Sequence, residues 1–570
     1  MNNYKKERES SIGGKTTIIS FLRVSLLLVI IITCFLVIRR FQVNAESITT
    51  SVTVGNSAPT FTVGPVENPA SSTTSPTNVG SNVTFQATAT DPNNNNYYLI
   101  VCSSNSVTPG NGTAPTCGAT TYCTSTSTAS GSQATCSKTA LAGDPASNTW
   151  YAFVCDGIAS GSACSAANQG SGDSGSPFIV NHSPTFSSPA NNSPVNPGAT
   201  ITWTSTASDP DSNNVMLLVC KTSGITNNTC TGGAWCTSSF VSSNPSCNYT
   251  VPSVNPDGSN NAYVYIIDQF NFPSTSGSQG SNVPFIINNV APTVSAVTIN
   301  GGSDIDLVES STKPVTLTAT VSDNNSCSSG EISTVYGYVY RSGITYTGCD
   351  TAGEANNNNC YPEIPCSLVG GTCSGPTDAS ADYTCTVNFQ YYADPTDVNT
   401  LYPTENWLNT VKAIDNNSAT GNTTVGAGVE VNSLTAFDIT SSLSFGNLGA
   451  GQSNDPLDKT LTTTATGNVG LDQEHSGSAN MCVDYPTCAG GTPIGVANQR
   501  YALALSTAYS SATPLSTSPT EVELNVPKPI SATPVTKNSW WGILIPIGTQ
   551  PGTYSGVNTI TAVKGETANW

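Results

Sequence analysis

The chain has 570 residues, of which 9% are charged, with 17 Lys and Arg against 36 Asp and Glu. A formal net charge of −19 repels nucleic acid and anionic lipid, and so argues against a nucleic-acid partner. With 49 Gly, 36 Pro and little charge the composition opposes sustained helices, while 37% hydrophobic residues and 21 Tyr exclude a wholly disordered chain.

The N-terminus is different in kind. Lys5, Lys6, Arg8, Lys15 and Arg23 precede an apolar run from Val24 to Ile38, which Arg39 and Arg40 follow. Extended back to Thr16, the run reaches 23 residues, enough to cross a hydrocarbon core of ~30 Å. This predicts a cytoplasmic basic segment over 1–15, a transmembrane anchor or signal segment over 16–38 and a linker over 39–56. Val43-Asn44-Ala45 offers a signal-peptidase site, and cleavage near Ala45 would instead secrete the chain. Arg39 and Arg40 favour a retained anchor, because positive charge just after the apolar run resists translocation. On either reading the rest of the chain is exported, and beyond Ala45 it carries 10 basic and 34 acidic side chains.

Three later segments share one pattern. "NVTFQATATDP" reaches Asp91, "TITWTSTASDP" reaches Asp209 and "PVTLTATVSDN" reaches Asp323, at offsets of 118 and 114 residues. Bulky residues alternate: Val83, Phe85, Ala87, Ala89; Ile201, Trp203, Ser205, Ala207; Val315, Leu317, Ala319, Val321. That period of two predicts a strand with one buried and one wet face. A second strand recurs as "WYAFVCD", "AYVYIID" and "NTVKAID", ending at Asp156, Asp268 and Asp415. The interval between the two aspartates is 65, 59 and 92 residues, so the third copy carries an insertion. Each copy opens on a proline strand, "SAPTF", "SPTF" and "APTV". The segments are expected to be 57–182, 183–290 and 291–430, the last with a cysteine-rich insertion.

Cysteines report the compartment. Apart from Cys34, they fall by segment as six, four, six and two. Even counts in every block predict intradomain disulfides and an oxidising environment. Cys102, Cys117, Cys123 and Cys136 match Cys220, Cys230, Cys236 and Cys247, while Cys155 and Cys164 form an extra, local pair. Two His and the lack of paired C-x2-C knuckles argue against zinc.

Residues 57–430 resemble the tandem Ig-like, cadherin-like or fibronectin III-like repeats of prokaryotic cell-surface proteins, in which a Thr- and Ala-rich strand runs into Asp-Pro-Asp or Asp-Pro-Asn. The resemblance implies an all-β fold of tandem antiparallel β-sandwich (Ig-like) domains after the N-terminal membrane helix. It departs from Ig domains in its cysteines, which cluster between the two Asp-ended strands. If those strands are B and F, their loops share one end of the sandwich. Asp91 would then meet Asp156, Asp209 would meet Asp268, and Asp323 would meet Asp415. Such carboxylates, beside the Asn-rich loops, are candidate calcium ligands that would stiffen a rod. The same residues also form Asx-turns with no metal.

"GDSGSP", from Gly172 to Pro177, looks like the nucleophile motif of chymotrypsin-like serine proteases, with Ser174 as its serine. Both histidines, His182 and His475, lie downstream, and the order His, Asp, Ser is impossible. Ser174 aligns with Ser281 of the second copy, in the turn that enters the closing strand. Residues 431–570 are not a fourth copy but still read as strands, a C-terminal β-sandwich with Cys482 and Cys488 able to close a small loop. Trp540 and Trp541 cannot both face its core. The expected protein is an exported, membrane-anchored, disulfide-braced rod at the cell surface. Its role is structural or adhesive rather than enzymatic, with surface glycans or proteins as partners. The alternative is a secreted polysaccharide-acting hydrolase with accessory sandwiches, which needs only two carboxylates.

Overall fold

A computed structural model of the chain describes residues 48–350 and 356–570. The expected basic segment and anchor lie outside the described residues. Among those described, no helix is long and apolar enough to cross a membrane. Among the described residues strand follows strand through turns, with one five-residue α-helix and a few single 3-10 turns. It divides into two compact units. One comprises the described residues up to Pro65 with Phe85–Cys136 and Tyr151–Gln169, the other Val66–Thr84, Ser137–Trp150 and Gly170–Trp570. The strands of the first copy are therefore shared between the units.

In the first unit, Tyr97–Cys102 is the centre of a three-stranded antiparallel sheet, between Tyr151–Asp156 and Thr121–Thr124. Three disulfides brace it, Cys102–Cys117, Cys123–Cys136 and the short-range Cys155–Cys164.

The second unit begins its second-copy sandwich with Thr185–Asn191, Thr200–Ser208 and Ser246–Thr250. The alternation of Thr200–Ser208 does what its sequence requires: Ile201, Trp203, Ser205 and Ala207 are buried while the threonines face out. Against this face packs a four-stranded sheet of Ala234–Thr237, Val215–Cys220, Tyr263–Asp268 and Ser281–Asn282. The two faces share one core of Phe186, Trp203, Leu217, Val264, Ile266 and Phe285. Trp203 meets Phe285 edge-on at 5.4 Å, and Cys236–Cys247 stitches one sheet to the other.

In the third copy the extra residues supply a strand, Cys360–Leu368, that joins the two sheets. It pairs with Ile332–Arg341 along its first part and with Ser380–Gln390 through its last three residues, giving one seven-stranded sheet closed over its core. Cys349–Cys360 and Cys366–Cys385 hold it there, and Cys327–Cys373 is the third bridge of this copy. The terminal segment is a further sandwich. A five-stranded sheet centred on Val535–Ile543 faces a three-stranded sheet centred on Leu471–Gly477, around Leu461, Tyr501, Val522 and Trp541. Trp541 is in this core, whereas Trp540 lies half-buried against Leu457 and Tyr509 at its edge. With Cys482–Cys488, the 18 cysteines beyond Cys34 form nine disulfides, all within the expected blocks.

Lys528 of the terminal sandwich is buried in the third copy. Its Nζ reaches Asp394 Oδ1 at 3.0 Å, Asn358 Oδ1 at 2.5 Å and the Tyr392 carbonyl at 3.0 Å. Arg341 takes the other Asp394 oxygen at 3.1 Å and pairs with Glu405. Burial pulls the Lys528 ammonium below its ordinary pKa, and Asp394 opposes that pull. Removing one partner of such a group strands charge out of water. Lys528→Ala is expected to cost about 3 kcal/mol in denaturant unfolding, and Lys528→Met, which refills the volume, clearly less.

Candidate functional site

Each Asp-ended strand closes on an Asx-turn. Asp209 Oδ1 accepts the N–H groups of Asp211 and Asn213 at 2.8 and 3.2 Å. Asp91 Oδ1 does the same for Asn93 and Asn95 at 2.7 and 3.2 Å, and Asp323 Oδ1 for Asn325 at 2.7 Å. The bland reading of these residues is therefore satisfied by one oxygen each. The other is left over: Oδ2 of Asp91, Asp209 and Asp323 is buried with no donor.

The second set of aspartates is built alike. Asp268 Oδ1 accepts Phe270 and Phe272 N–H at 2.8 Å each, Asp415 Oδ1 accepts Asn417 and Ala419 at 2.9 and 2.7 Å, and Asp156 Oδ1 accepts Ala163 at 3.2 Å. Their second oxygens each take a side-chain amide from just before the copy: Asn56 to Asp156 at 2.7 Å, Asn181 to Asp268 at 2.6 Å, Asn289 to Asp415 at 2.8 Å. In two copies the Asx-turn reaches the same asparagine, Asn95 to Asn56 Oδ1 at 3.3 Å and Asn213 to Asn181 Oδ1 at 2.7 Å. All six predicted aspartates are thus drawn, two by two, to one pole of their copy.

The sequence reading missed the asparagines, although they carry a signal. Each stands three residues before the proline of the opening strand, in "NSAP", "NHSP" and "NVAP".

The pole of the third copy is the most acidic. Asn289 Oδ1 is buried without a donor, as is Glu331 Oε2. Asn325 turns its amide instead to the carbonyls of Asn255 and Asn288, and its Oδ1 accepts the Val290 N–H at 2.7 Å. From the second copy, Asp257 accepts the Asn417 amide at 2.6 Å. Burial, then the charges of Asp257, Asp323 and Asp415, push the Glu331 carboxyl up to about 7. Burial also raises Asp209, Asp268 and Asp323, reinforced by neighbouring carboxylates. These orphaned oxygens and the asparagine carbonyls form a hard donor set that fits calcium, which takes about six to eight oxygens. Even so, the poles do not bring three carboxylates within 4.8 Å. Among the described residues Asp472, Glu523 and Glu566 of the terminal sandwich do.

Ser174 lies in a 3-10 turn, Gly172–Ser174, just before the strand Phe178–Asn181. His182 faces Asp211 at 2.9 Å. His475 is buried against Tyr501 and Trp541, and burial lowers it to about 4. A groove of about 740 Å³ in the terminal sandwich is lined by Leu443, Phe445, Met481, Ile494, Ile545 and Tyr554 among others, with no Asp, Glu or His in its wall.

No family model matches the chain, and no curated protein matches it in sequence. Solved structures with a likeness include a three-Ig-domain fragment of titin (10% identity, 67% of this chain and 100% of that one, TM-score 0.30). Others are the mouse nectin-like molecule 4 ectodomain (8%, 62% and 96%, 0.27) and the protocadherin gamma B2 cadherin domains 1–5 (10%, 74% and 70%, 0.24). At such TM-scores these likenesses carry no argument about this chain.

A carboxyl whose pKa is raised on folding contributes stability that is full below its unfolded value and is lost as pH rises through its folded value. Glu331 has that sign, as does Glu67, which burial also raises to about 7 beside the Trp150 indole. His475 has the opposite dependence, its contribution fading only as pH falls from 6.5 toward about 4. Without divalent cations, the melting temperature should therefore rise on going from pH 8 to pH 6.5. Glu331→Gln should raise it at pH 8 and flatten the slope; an unchanged slope would remove Glu331 as its source.

Proposed function

We propose that the chain is an exported surface protein, held to the membrane by residues 16–38 and structural or adhesive in role. One observation carries this reading: nine disulfides engage all 18 cysteines beyond Cys34, a state that an oxidising compartment sustains and a reducing cytosol does not. The antiparallel sandwiches and the acidic, sparsely charged composition support it. Calcium is the cation we assign to the poles, held at the third copy by Asp323, Asp415 and Glu331, with Asn289 and Asp257 from the copy before. Asp91 with Asp156, and Asp209 with Asp268, would hold it with loop carbonyls and water. Its role would be to stiffen the junctions, leaving the outer faces free for surface glycans or proteins.

Non-reducing peptide mapping of the full chain from fractionated cells tests the compartment. The expected result is nine intact disulfides on a membrane-bound chain whose sandwiches a protease can reach from outside; free thiols in a cytosolic chain would refute the proposal. For the poles, the measurement is melting in excess calcium against chelator. Calcium should raise the transition, and Asp323→Asn with Asp415→Asn should remove much of the gain. Identical transitions with and without calcium would end that assignment.

A further inference from the structure

The terminal sandwich carries a second acidic feature that owes nothing to the repeats. Asp472 occupies the central strand Leu471–Gly477, between Thr520–Val526 and Asn558–Lys564. Pairing with the first neighbour slips at this residue: Leu471 opposes Val526 and Gln473 opposes Val522, so that Glu523, Leu524 and Asn525 all stand against Asp472. The bulge, with Asn525 at φ 52°, turns the Asn525 N–H onto Asp472 Oδ1 at 2.7 Å. On the other side the chain leaves its strand through Gly565, whose N–H bonds the Gly470 carbonyl at 2.8 Å. A Cβ at Gly565 would stand 3.0 Å from Asp472 Oδ2, so a side chain there would crowd that oxygen. Glu566 follows at once.

The bulge on one edge and the glycine on the other bring three acids together. One oxygen each from Asp472, Glu523 and Glu566 lies within 4.8 Å of the others. Solvent can disperse the charge of two of them, because Glu523 and Glu566 are exposed. It cannot do so for Asp472, which is 1% exposed and whose Oδ2 is buried with no donor. A buried carboxylate oxygen with neither water nor a hydrogen-bond donor is costly, and two further carboxylates beside it add to the cost. Burial raises the Asp472 pKa, the Asn525 N–H bond opposes it, and the charge and carboxyl of Glu566 raise it again, with Lys537 a smaller offset. Asp472 and Glu566 raise Glu523 in turn.

We infer that Asp472, Glu523 and Glu566 form a cation site in the terminal sandwich that takes calcium. Three carboxylates supply up to six hard oxygens, and the two exposed ones leave room for water to complete six to eight ligands at about 2.3–2.6 Å. An all-oxygen set does not favour zinc or copper. The bulge and Gly565 do not arise from the three repeats, so this site stands whether or not the poles bind calcium.

Trp570 provides the readout, since its indole N–H bonds the Gly565 carbonyl at 2.8 Å, one residue from Glu566. Terbium, a calcium stand-in, should show saturable tryptophan-sensitised emission when titrated into the full chain, and calcium should compete it away. Asp472→Asn keeps an acceptor for the Asn525 N–H but should weaken terbium and calcium at least tenfold. The surface pair Glu523→Gln with Glu566→Gln should do the same without touching the core. Trp570→Phe should dim the emission while leaving the calcium isotherm in place, and Asp323→Asn with Asp415→Asn should leave the Trp570 signal unchanged. No saturable emission from the natural chain, or titrations of both acid variants that superpose on it, would overturn the site.

Discussion

A carboxylate has two oxygens, and in these repeats each half of an aspartate pair has one oxygen engaged by its own turn. What the second oxygen meets decides the rest of the pole. On Asp156, Asp268 and Asp415 it meets an asparagine amide from just before that copy. The segment that leads into the copy is thereby tied to the strand that ends in that aspartate by a bond whose donor is uncharged. On Asp91, Asp209 and Asp323 it meets nothing. A buried group with one bond made and one missing is stable only if the made bond and its turn outweigh the loss, or if a ligand supplies what is missing. In a chain with 9% charged residues, three such repetitions are hard to treat as accidents of composition.

The sheets face a different constraint. Their outer faces are Thr, Ser and Asn, which add little apolar area, so closure depends on thin cores and on crosslinks. One bridge recurs where it is most effective. Cys123–Cys136 and Cys236–Cys247 link equivalent strands in the first two copies, and Cys366–Cys385 holds the strand that spans the sheets in the third. Each closes a loop of 11 to 19 residues, a length worth ~3 kcal/mol in the chain-entropy picture. That is comparable to burying one large side chain such as Trp203 or Leu217.

Much of this was legible in the sequence, and for identifiable reasons. Alternation at Ile201, Trp203, Ser205 and Ala207 repeats in three copies, and a period of two has only one structural meaning. The cysteine blocks were countable, and the gathering of the six aspartates was what the Ig-like resemblance implied if their strands were B and F. Other features were harder to read. Asn56, Asn181 and Asn289 recur three residues before a proline, but nothing in their type separates a clamp from a loop. Cys360–Leu368 fell inside an insertion, where alignment to the other copies stops. Asp472, Glu523 and Glu566 come from three separate places in the sequence, and only the slip in strand pairing brings them together.

The junctions within the larger unit show where charge has been placed. The third copy meets the terminal sandwich through ions: Lys528 enters with its charge met by Asp394 and its remaining donors by neutral oxygens. The second copy meets the third largely through asparagine, with Asn255 bonding the Asn324 carbonyl and Asn325 bonding Asn255 and Asn288, and its acid Asp257 meets the Asn417 amide rather than a basic side chain. No basic side chain is among the groups that shift Glu331 or Asp323. A protein that uses a buried lysine to satisfy Asp394 has the means to neutralise a buried acid. At the pole of the third copy it has used asparagine amides, which orient carboxylates without cancelling them. Acids held in place but not neutralised can respond to protons or to calcium, whereas Asp394 already has its countercharge within the fold.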